Sequence, residues 1–337
     1  MRNPRRLFLI ATALLLGSCT ALQKPATPAQ ELDRLVEAWF DEYLELNPTT
    51  ATDIGDHRFD DRIELPATPD YAAAVAELEL RYHDAVAAID PGTLDDGARL
   101  TREMFLYNRG TQIERGRYPR RLLPLSQFNG GLAMDLAIYG AGTGSQPFAT
   151  IADYDRWLAR AAQFPAWVDS AIAAMREGVA QGVVHPRVVM AKVLPQLDAL
   201  IADDPADSVF YGPVALMPPD WPDTERARLE SAIARLIVDA LNPAYRRLRD
   251  FIRDEYLPGC RDTVGWSALP DGAAWYASEV RRQTTTSLTP DEIHEIGLSE
   301  VARIRGEMEG VMREVGFKGT LAEFFRYVQE EPAFHFE

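Results

Sequence analysis

The sequence has few of the residues and patterns that several classes of protein require. The 337 residues include two cysteines, which are too few for a disulfide framework, and five histidines. No alternating apolar and polar run is longer than a few residues, which argues against a β-sheet protein. The apolar run at 7–16 is also much shorter than the about 20 residues that a membrane-spanning helix needs.

Positive charge is scarce as well. The chain has 35 lysines and arginines against 51 aspartates and glutamates, and its net charge of −16 would become −19 if residues 1–18 were removed. Such a charge opposes binding to nucleic acid, and no basic patch is available for anionic lipid. With 47% hydrophobic and 26% charged residues, the chain has the composition of a folded protein with a substantial core.

The N-terminus has the layout of an export signal. Arginines within 1–6 precede the apolar run at 7–16, and two small residues follow directly before Cys19. We therefore predict a signal peptide over 1–18. The sequence LGSC also resembles the lipobox of bacterial lipoproteins, which implies that Cys19 is acylated, with chains such as palmitate, and becomes the new N-terminus. An ordinary secretory signal with an incidental cysteine is the alternative.

The lipobox resemblance also implies a place for the mature protein. Residues 19–30 are rich in Pro, Ala, Thr and Gln, which is typical of a flexible tether, and the folded domain is predicted over 31–337. Thr20 stands where an aspartate would retain a lipoprotein in the inner membrane, so the expected location is the outer membrane, facing the periplasm. Acylation of Cys19 leaves only Cys260, which we interpret as a buried structural thiol.

Helical patterns dominate the rest of the chain. Apolar residues recur at steps of three and four, and strong helix starts occur at Thr68-Pro69, at 150–153 and at Thr289-Pro290. Pro243 is expected to kink or break a long helix over about 224–256. These patterns predict an all-α fold, a multi-helical array of about nine to ten helices in one domain. The apolar stripe at 293–315 is predicted to be a buried helix face.

A segment at 119–150 is predicted to be irregular, because its glycines lie among apolar residues without a sustained period. Such a segment could line a functional cleft or cover the scaffold. The sequence GAGTG at 140–144 suggests a phosphate-binding loop only weakly, since no lysine follows it.

No motif in the sequence identifies a catalytic or metal-binding residue. His294-Glu295 begins like the zinc-binding motif H-E-x-x-H, but Leu298 occupies the position of the second histidine. No G-x-S-x-G nucleophile elbow occurs. The abundant carboxylates are more typical of a solvated acidic face than of an acid–base pair. His335 and Glu337 are a possible ligand pair in an extended chain, but nothing nearby completes a site. His57 lies in a polar loop, with substrate contact as the alternative, and His83 and His185 are the remaining histidines.

Three stretches together resemble one known family. LNPTTATDIGDHRFDDRI at 46–63, MREGVAQGVVHPRVVMAKVLPQL at 175–197 and the long stretch at 269–325 resemble the bacterial family called domain of unknown function 885. The third stretch is the most specific, and it carries in order Gly272, Tyr276, Arg281, Thr284, Thr285, Thr289, Glu292, His294, Gly297, Glu300 and Gly316.

The resemblance implies a helical, exported protein similar to zinc metallopeptidases. The zinc helix of that family lies beyond the C-terminal end of this sequence, so the chain looks like the N-terminal half of a protein nearly twice as long. No zinc ligand or catalytic glutamate can be transferred to it. No cofactor is therefore expected in this chain, although zinc is expected in the longer protein.

Two functional hypotheses follow. The first is a cell-envelope hydrolase, a zinc-dependent peptidase of peptide-like substrates, to which this chain contributes a helical wall and by itself no activity. Gly130, Tyr276 and His294 are the residues predicted to line the substrate cleft. The second is a non-catalytic helical binding or scaffold lipoprotein that needs no metal.

Overall fold

The structure is a computed structural model that describes residues 26–128 and 131–335. Within these ranges it consists of helices, turns and irregular segments without a β-strand, which confirms the all-α prediction. Cys19 and the predicted signal peptide lie outside the described residues, as does Gly130. No helix in the described ranges is both long and apolar enough to cross a membrane.

Within the described residues the helices outnumber the predicted nine to ten, because the helices predicted from residue 150 and over 224–256 each comprise more than one element and because α2 and α5 were not predicted. Their bounds are α1 Pro28–Leu46, α2 Pro48–Asp53, α3 Pro69–Ala87, α4 Asp96–Arg115, α5 Leu132–Gly140, α6 Ile151–Ala161, α7 Phe164–Gln181, α8 Arg187–Asp198, α9 Asp223–Leu236, α10 Asn242–Phe251, α11 Leu257–Gly259, α12 Gly272–Thr284, α13 Pro290–Glu314 and α14 Leu321–Glu330.

The first structural unit is formed by α1, α3 and α4, which pack around buried residues such as Leu32, Leu78 and Phe105. The Thr27 side chain accepts a hydrogen bond from the Gln30 amide, and the Gln30 side chain accepts one from the Thr27 amide. This capping box starts α1 at Pro28, three residues before the predicted domain boundary.

The main core is formed by α5 to α10 around large buried side chains such as Trp157 and Tyr245. Helix α5 lies inside the segment that the sequence predicts to be irregular. Most of its residues are apolar, so the sequence shows no periodic face, although its buried residues share one side of the helix and Ile138 on the other side is exposed. At its end, a Cβ on Gly140 would lie 2.5 Å from the Trp157 ring, so glycine permits the close contact.

Prolines have different effects on two of the predicted helices. The helix predicted from residue 150 is divided into α6 and α7, because Pro165 lies in the first turn of α7 and lacks an amide hydrogen. Pro243 does not interrupt its helix. A π-helical turn at Ile237–Leu241 precedes it and adds one residue to the turn, which joins α9 to α10 without a break.

The Arg160 side chain joins α2, which packs against α1, to the main core. It lies on α6 and is completely buried. Its Nη2 donates hydrogen bonds to Thr52 Oγ1 at 2.7 Å and to the Phe59 carbonyl at 2.8 Å, and its Nη1 donates to Gln146 Oε1 at 2.9 Å. One guanidinium therefore holds α2, the turn after it and the segment before α6.

The Asp60 carboxylate completes this network. It is also completely buried, accepts a hydrogen bond from Thr52 Oγ1 at 2.6 Å and lies 3.9 Å from Arg160. Burial lowers the pKa of the Arg160 guanidinium, and the negative charge of Asp60 opposes that shift.

The predicted buried stripe of α13 is wrong. Among the residues of this helix only Met312 is buried, and the helix packs mainly against α14. Periodicity predicts which residues share a face, but it does not reveal whether the chain supplies a neighbour to cover that face. The exposed apolar residues of α13 and of the segment after it are Ile296, Leu298, Val301, Ile304, Val311, Val315, Phe325, Tyr327, Val328 and Phe334.

Replacement of Arg160 by alanine is expected to lower the free energy of unfolding by about 3–5 kcal/mol, because it leaves the buried Asp60 carboxylate without its cation. Arg62→Ala is the control, since Arg62 is half-exposed and its ion pairs, at 3.7 and 4.0 Å, are long. We expect this control to cost at most about 1 kcal/mol. Urea denaturation measures both values, and equal losses would contradict the role of Arg160.

Candidate functional site

A groove of about 920 Å³ lies between α1, α3, α4 and the segment that follows α4. Pockets of this size accommodate small molecules or short stretches of peptide. Its lining combines aromatic and aliphatic side chains with several arginines. The lining residues are Trp39, Tyr43, Asn47, Pro66, Tyr71, Ala72, Val75, Ala76, Glu79, Leu80, Arg109, Gln112, Ile113, Arg115, Gly116, Arg117, Tyr118, Pro119, Arg120 and Arg121.

A buried ion pair lies at one side of this groove. Nη1 of Arg109 donates hydrogen bonds to both carboxylate oxygens of Glu79, at 2.8 and 2.9 Å. The Arg109 guanidinium also lies 3.7 Å from the centre of the Trp39 ring, in a cation–π arrangement. Burial raises the pKa of Glu79 and lowers that of Arg109. Each charge opposes the shift of its partner, so the pair is a fixed polar feature in a largely apolar wall.

A second hydrogen-bonded chain fixes the wall between α1 and α3. The Tyr71 hydroxyl donates to Asn47 Oδ1 at 2.6 Å, and Asn47 Nδ2 donates to the Tyr43 carbonyl at 2.7 Å. Burial, together with the charge of Glu64, raises the pKa of Tyr71, so its hydroxyl stays protonated and remains a donor. The aromatic rings of this wall are therefore held in place.

The opposite end of the groove is strongly cationic. Residues 115–121, which we name the arginine segment, have the sequence RGRYPRR and contain four arginines. Arg121 pairs with Glu177 of α7. Arg117 is exposed. The sequence analysis missed this cluster, although four arginines within seven residues of an acidic chain are a visible signal.

Glu279 of α12 is the anion that the arginine segment shares. Its carboxylate accepts a hydrogen bond from Arg120 at 2.6 Å and one from Arg282 at 2.9 Å, and it lies 3.5 Å from Arg115. Burial alone would raise the pKa of Glu279, but the hydrogen bond from Arg282 and the charges of Arg120 and Arg115 hold this pKa below its usual value. One carboxylate is therefore the common ion-pair partner of three guanidinium groups.

Aromatic packing holds the arginine segment against the rest of the molecule. The Tyr118 ring stacks on Trp275 with centroids 5.4 Å apart and an angle of 10° between the ring planes. Trp275 is buried and contacts Trp266 edge to face at 5.0 Å. The segment therefore has a defined position between α4 and α12, which limits the entropy lost when its side chains bind a ligand.

Of the predicted cleft-lining residues that the structure describes, neither Tyr276 nor His294 is found in the groove lining. Tyr276 lies on α12 next to Trp275, and its side chain is exposed. His294 lies in the first turns of α13 and is exposed as well. Gly130 falls outside the described residues. The role of Tyr276 and His294 in a cleft stays a prediction.

The structure also shows the surroundings of three other side chains that the sequence singles out, His57, His185 and Cys260. His57 is half-exposed, and its Nδ1 lies 3.0 Å from the buried Asp60 carboxylate, so it belongs to the Arg160 network. His185 is partly buried, and this burial lowers the pKa of its imidazole to about 4 and keeps it neutral at pH 7. Cys260 is a buried free thiol, as expected, and burial raises its pKa to about 11. Such a thiol is a poor nucleophile at neutral pH.

The stabilisation by Glu279 is expected to depend on pH. Its pKa is lower in the folded protein than the ordinary value of 4.5, so the stabilisation is complete above that value and is lost as the pH falls through the folded pKa. Glu279→Gln should therefore lower the free energy of unfolding by about 1–3 kcal/mol at pH 7. The difference from the unmodified chain should shrink between pH 4.5 and pH 3.

Denaturant titrations at several pH values measure this difference. Glu300→Gln is the matched control, because Glu300 is half-exposed and pairs with a single arginine of its own helix, Arg303. The control should change little at any pH. A loss for Glu279→Gln that is the same at pH 7 and pH 3 would contradict an ionic role for this carboxylate.

Comparison with known proteins identifies the family of the chain. A crystal structure described as that of "the putative lipoprotein from Colwellia psychrerythraea" superimposes with a TM-score of 0.78 at 20% sequence identity. The match covers 92% of this chain but 55% of the Colwellia chain, so this chain spans about half the length of that protein. A search of curated proteins gave no match. The family described as bacterial protein of unknown function (DUF885) matches residues 48–337, and the chain belongs to this family.

Proposed function

We propose that this chain is the N-terminal helical part of a cell-envelope lipoprotein hydrolase, a zinc-dependent peptidase, and that its groove forms part of the wall along which the substrate lies. The observation that carries this proposal is the groove of about 920 Å³ between α1, α3 and α4. An extended peptide presents side chains that point alternately to opposite sides, together with backbone polar groups. The groove lining offers apolar surfaces for side chains and hydrogen-bonding groups for the backbone.

The groove walls suit a peptide chemically. Trp39, Tyr43 and Tyr71 supply aromatic faces, and Val75 and Leu80 supply aliphatic ones. Their rigid positions, held by the hydrogen bonds of Asn47 and by the buried Arg109–Glu79 pair, favour binding without a large loss of side-chain entropy.

The metal of such a peptidase would have to be bound elsewhere. Residues 26–128 and 131–335 contain no group of three His, Cys, Asp or Glu side chains placed to share a metal ion. These residues therefore do not fit a zinc site, and we assign no catalytic step to them. In this proposal their contribution is the binding and orientation of the substrate.

The uncovered apolar face of α13 and α14 supports the proposal that this chain is one part of a larger fold. Val301 is 67% exposed and Val315 is 62% exposed, although both lie in an amphipathic pattern. The Colwellia chain extends well beyond the part that this chain matches. In our proposal, the corresponding part of the complete protein packs on this face and supplies the zinc ligands.

The N-terminal segment supports the location. Its charged, apolar and small residues precede Cys19 in the order of a lipoprotein signal, and the structurally similar Colwellia protein is described as a lipoprotein. We propose that acylated Cys19 anchors the protein in the outer membrane, with the groove in the periplasm.

Measurement of zinc and peptidase activity in the complete gene product tests the proposal. We expect close to one zinc per chain, cleavage of a mixed peptide library, and loss of cleavage on treatment with a chelator that is reversed by added zinc. A complete protein without stoichiometric metal, or with cleavage that the chelator leaves unchanged, would rule out the zinc peptidase. Peptide binding without any cleavage would instead favour the non-catalytic binding lipoprotein.

A bulky residue in the groove should impair this activity. Ala76 of α3 lines the groove and is exposed. We expect Ala76→Trp in the complete protein to raise KM for peptides about tenfold or more, because the indole would occupy space needed by the substrate. Ala73→Trp is the matched control, since Ala73 is exposed on the same helix outside the groove lining. Equal effects of the two substitutions would show that the groove does not hold substrate.

A further inference from the structure

We propose that the arginine segment binds a carboxylate of the peptide, so that the groove selects anionic peptides. This inference rests on the proposed function and adds the substrate class to it. The carboxylate could be the free C-terminus or an acidic side chain, because both present the same planar group with two acceptor oxygens.

The charge balance of the site is the first argument. Arg115, Arg120 and Arg282 surround the carboxylate of Glu279, which leaves two positive charges uncompensated among these four groups. Burial lowers the pKa of Arg120, and the positive charges of Arg115 and Arg282 lower it further. A second anion would relieve this repulsion, and in a chain of net charge −16 such a cationic site is locally exceptional.

The availability of Arg117 is the second argument. Its guanidinium is exposed at the groove and forms no ion pair within the described part of the chain. Arg121 and Arg109, in contrast, each have a carboxylate partner, in Glu177 and Glu79. Arg117 is thus the arginine of the segment that is free to bind an incoming group, and guanidinium binds carboxylate through two parallel hydrogen bonds.

The surroundings of the segment are the third argument. Tyr118 lies between the arginines in sequence and is fixed by its stacking on Trp275, so the backbone that carries Arg117 is anchored. The groove then continues from the cationic end to the aromatic residues Trp39 and Tyr43. A peptide could therefore place its carboxylate on the arginines and its apolar side chains along the aromatic wall. This layout favours a peptide over a free small anion.

Isothermal titration calorimetry of the complete protein tests this inference, with a chelator present to prevent cleavage of the peptides. The probes are four forms of one N-acetylated nonapeptide of Ala, Gly, Leu and Ser residues that contains a single Glu or Gln and ends in a free carboxylate or an amide. We expect at least one carboxylate form to bind about tenfold more tightly than the amidated Gln peptide. The two single-carboxylate forms show which group is recognised. High salt should weaken this preference.

Substitutions test whether the arginine segment causes the preference for peptides with a carboxylate. Arg117→Gln should weaken binding of the preferred anionic peptide about tenfold and leave the neutral peptide unchanged, and circular dichroism should confirm an intact fold. Arg253→Gln, at an exposed arginine outside the groove, should leave both affinities unchanged.

Three results would overturn the inference: equal affinity for all four peptides, binding of none of them, or binding of phosphatidylglycerol vesicles without binding of peptide. An absence of zinc and of cleavage in the complete protein would count against the proposed peptidase while leaving this binding measurement interpretable. The failure of one proposal is therefore distinguishable from the failure of the other.

Discussion

The buried guanidinium of Arg160 is the constraint on which the arrangement of the helices depends. An arginine that is completely removed from water requires partners for its donors, and here Nη1 and Nη2 bind atoms of α2, of the turn at Phe59 and of the segment at Gln146, while Nε has no hydrogen-bond partner among the described residues. These elements connect the main core to the first helical unit indirectly, because α2 packs against α1. The groove lies between the helices of the first unit, and the segment after α4 also binds the main core through the Arg121–Glu177 pair.

Arginines have different roles at Arg160, at Arg109 and in the arginine segment. Arg160 and Arg109 are buried and paired, so their charges contribute to the position of the helices. The arginine segment contains more positive charge than Glu279 and Glu177 balance, and its Arg117 faces solvent. Because the protein as a whole is acidic, this segment creates a local field of opposite sign at one end of an apolar groove. The combination of field and groove suggests a ligand with both an anionic and an apolar part.

The family places limits on what this chain does alone. DUF885 is described as a family of unknown function, and the similar Colwellia structure shares the fold at 20% identity. The exposed apolar residues of α13 and α14 lie on two helices that pack against each other, which is typical of a surface that contacts a partner rather than of apolar residues scattered singly. In our proposal this part of the protein forms a wall of the substrate cleft, and the other part holds the metal. This proposal accounts for the groove, for the uncovered apolar face and for the lack of a set of metal ligands in the described residues.

The sequence by itself determined the helical class, most helix starts and the family. These features are local: a capping box such as Thr289 with Glu292 needs only residues three apart, and apolar periodicity needs only one helix. It did not reveal α5, whose apolar residues lack a period, or the exposure of α13. Only the tertiary structure decided the groove and its cationic end, because Arg120 and Glu279 are 159 residues apart in the chain and Arg160 binds the Phe59 carbonyl 101 residues away. Such contacts depend on how helices pack, and packing is not encoded in any short stretch of sequence.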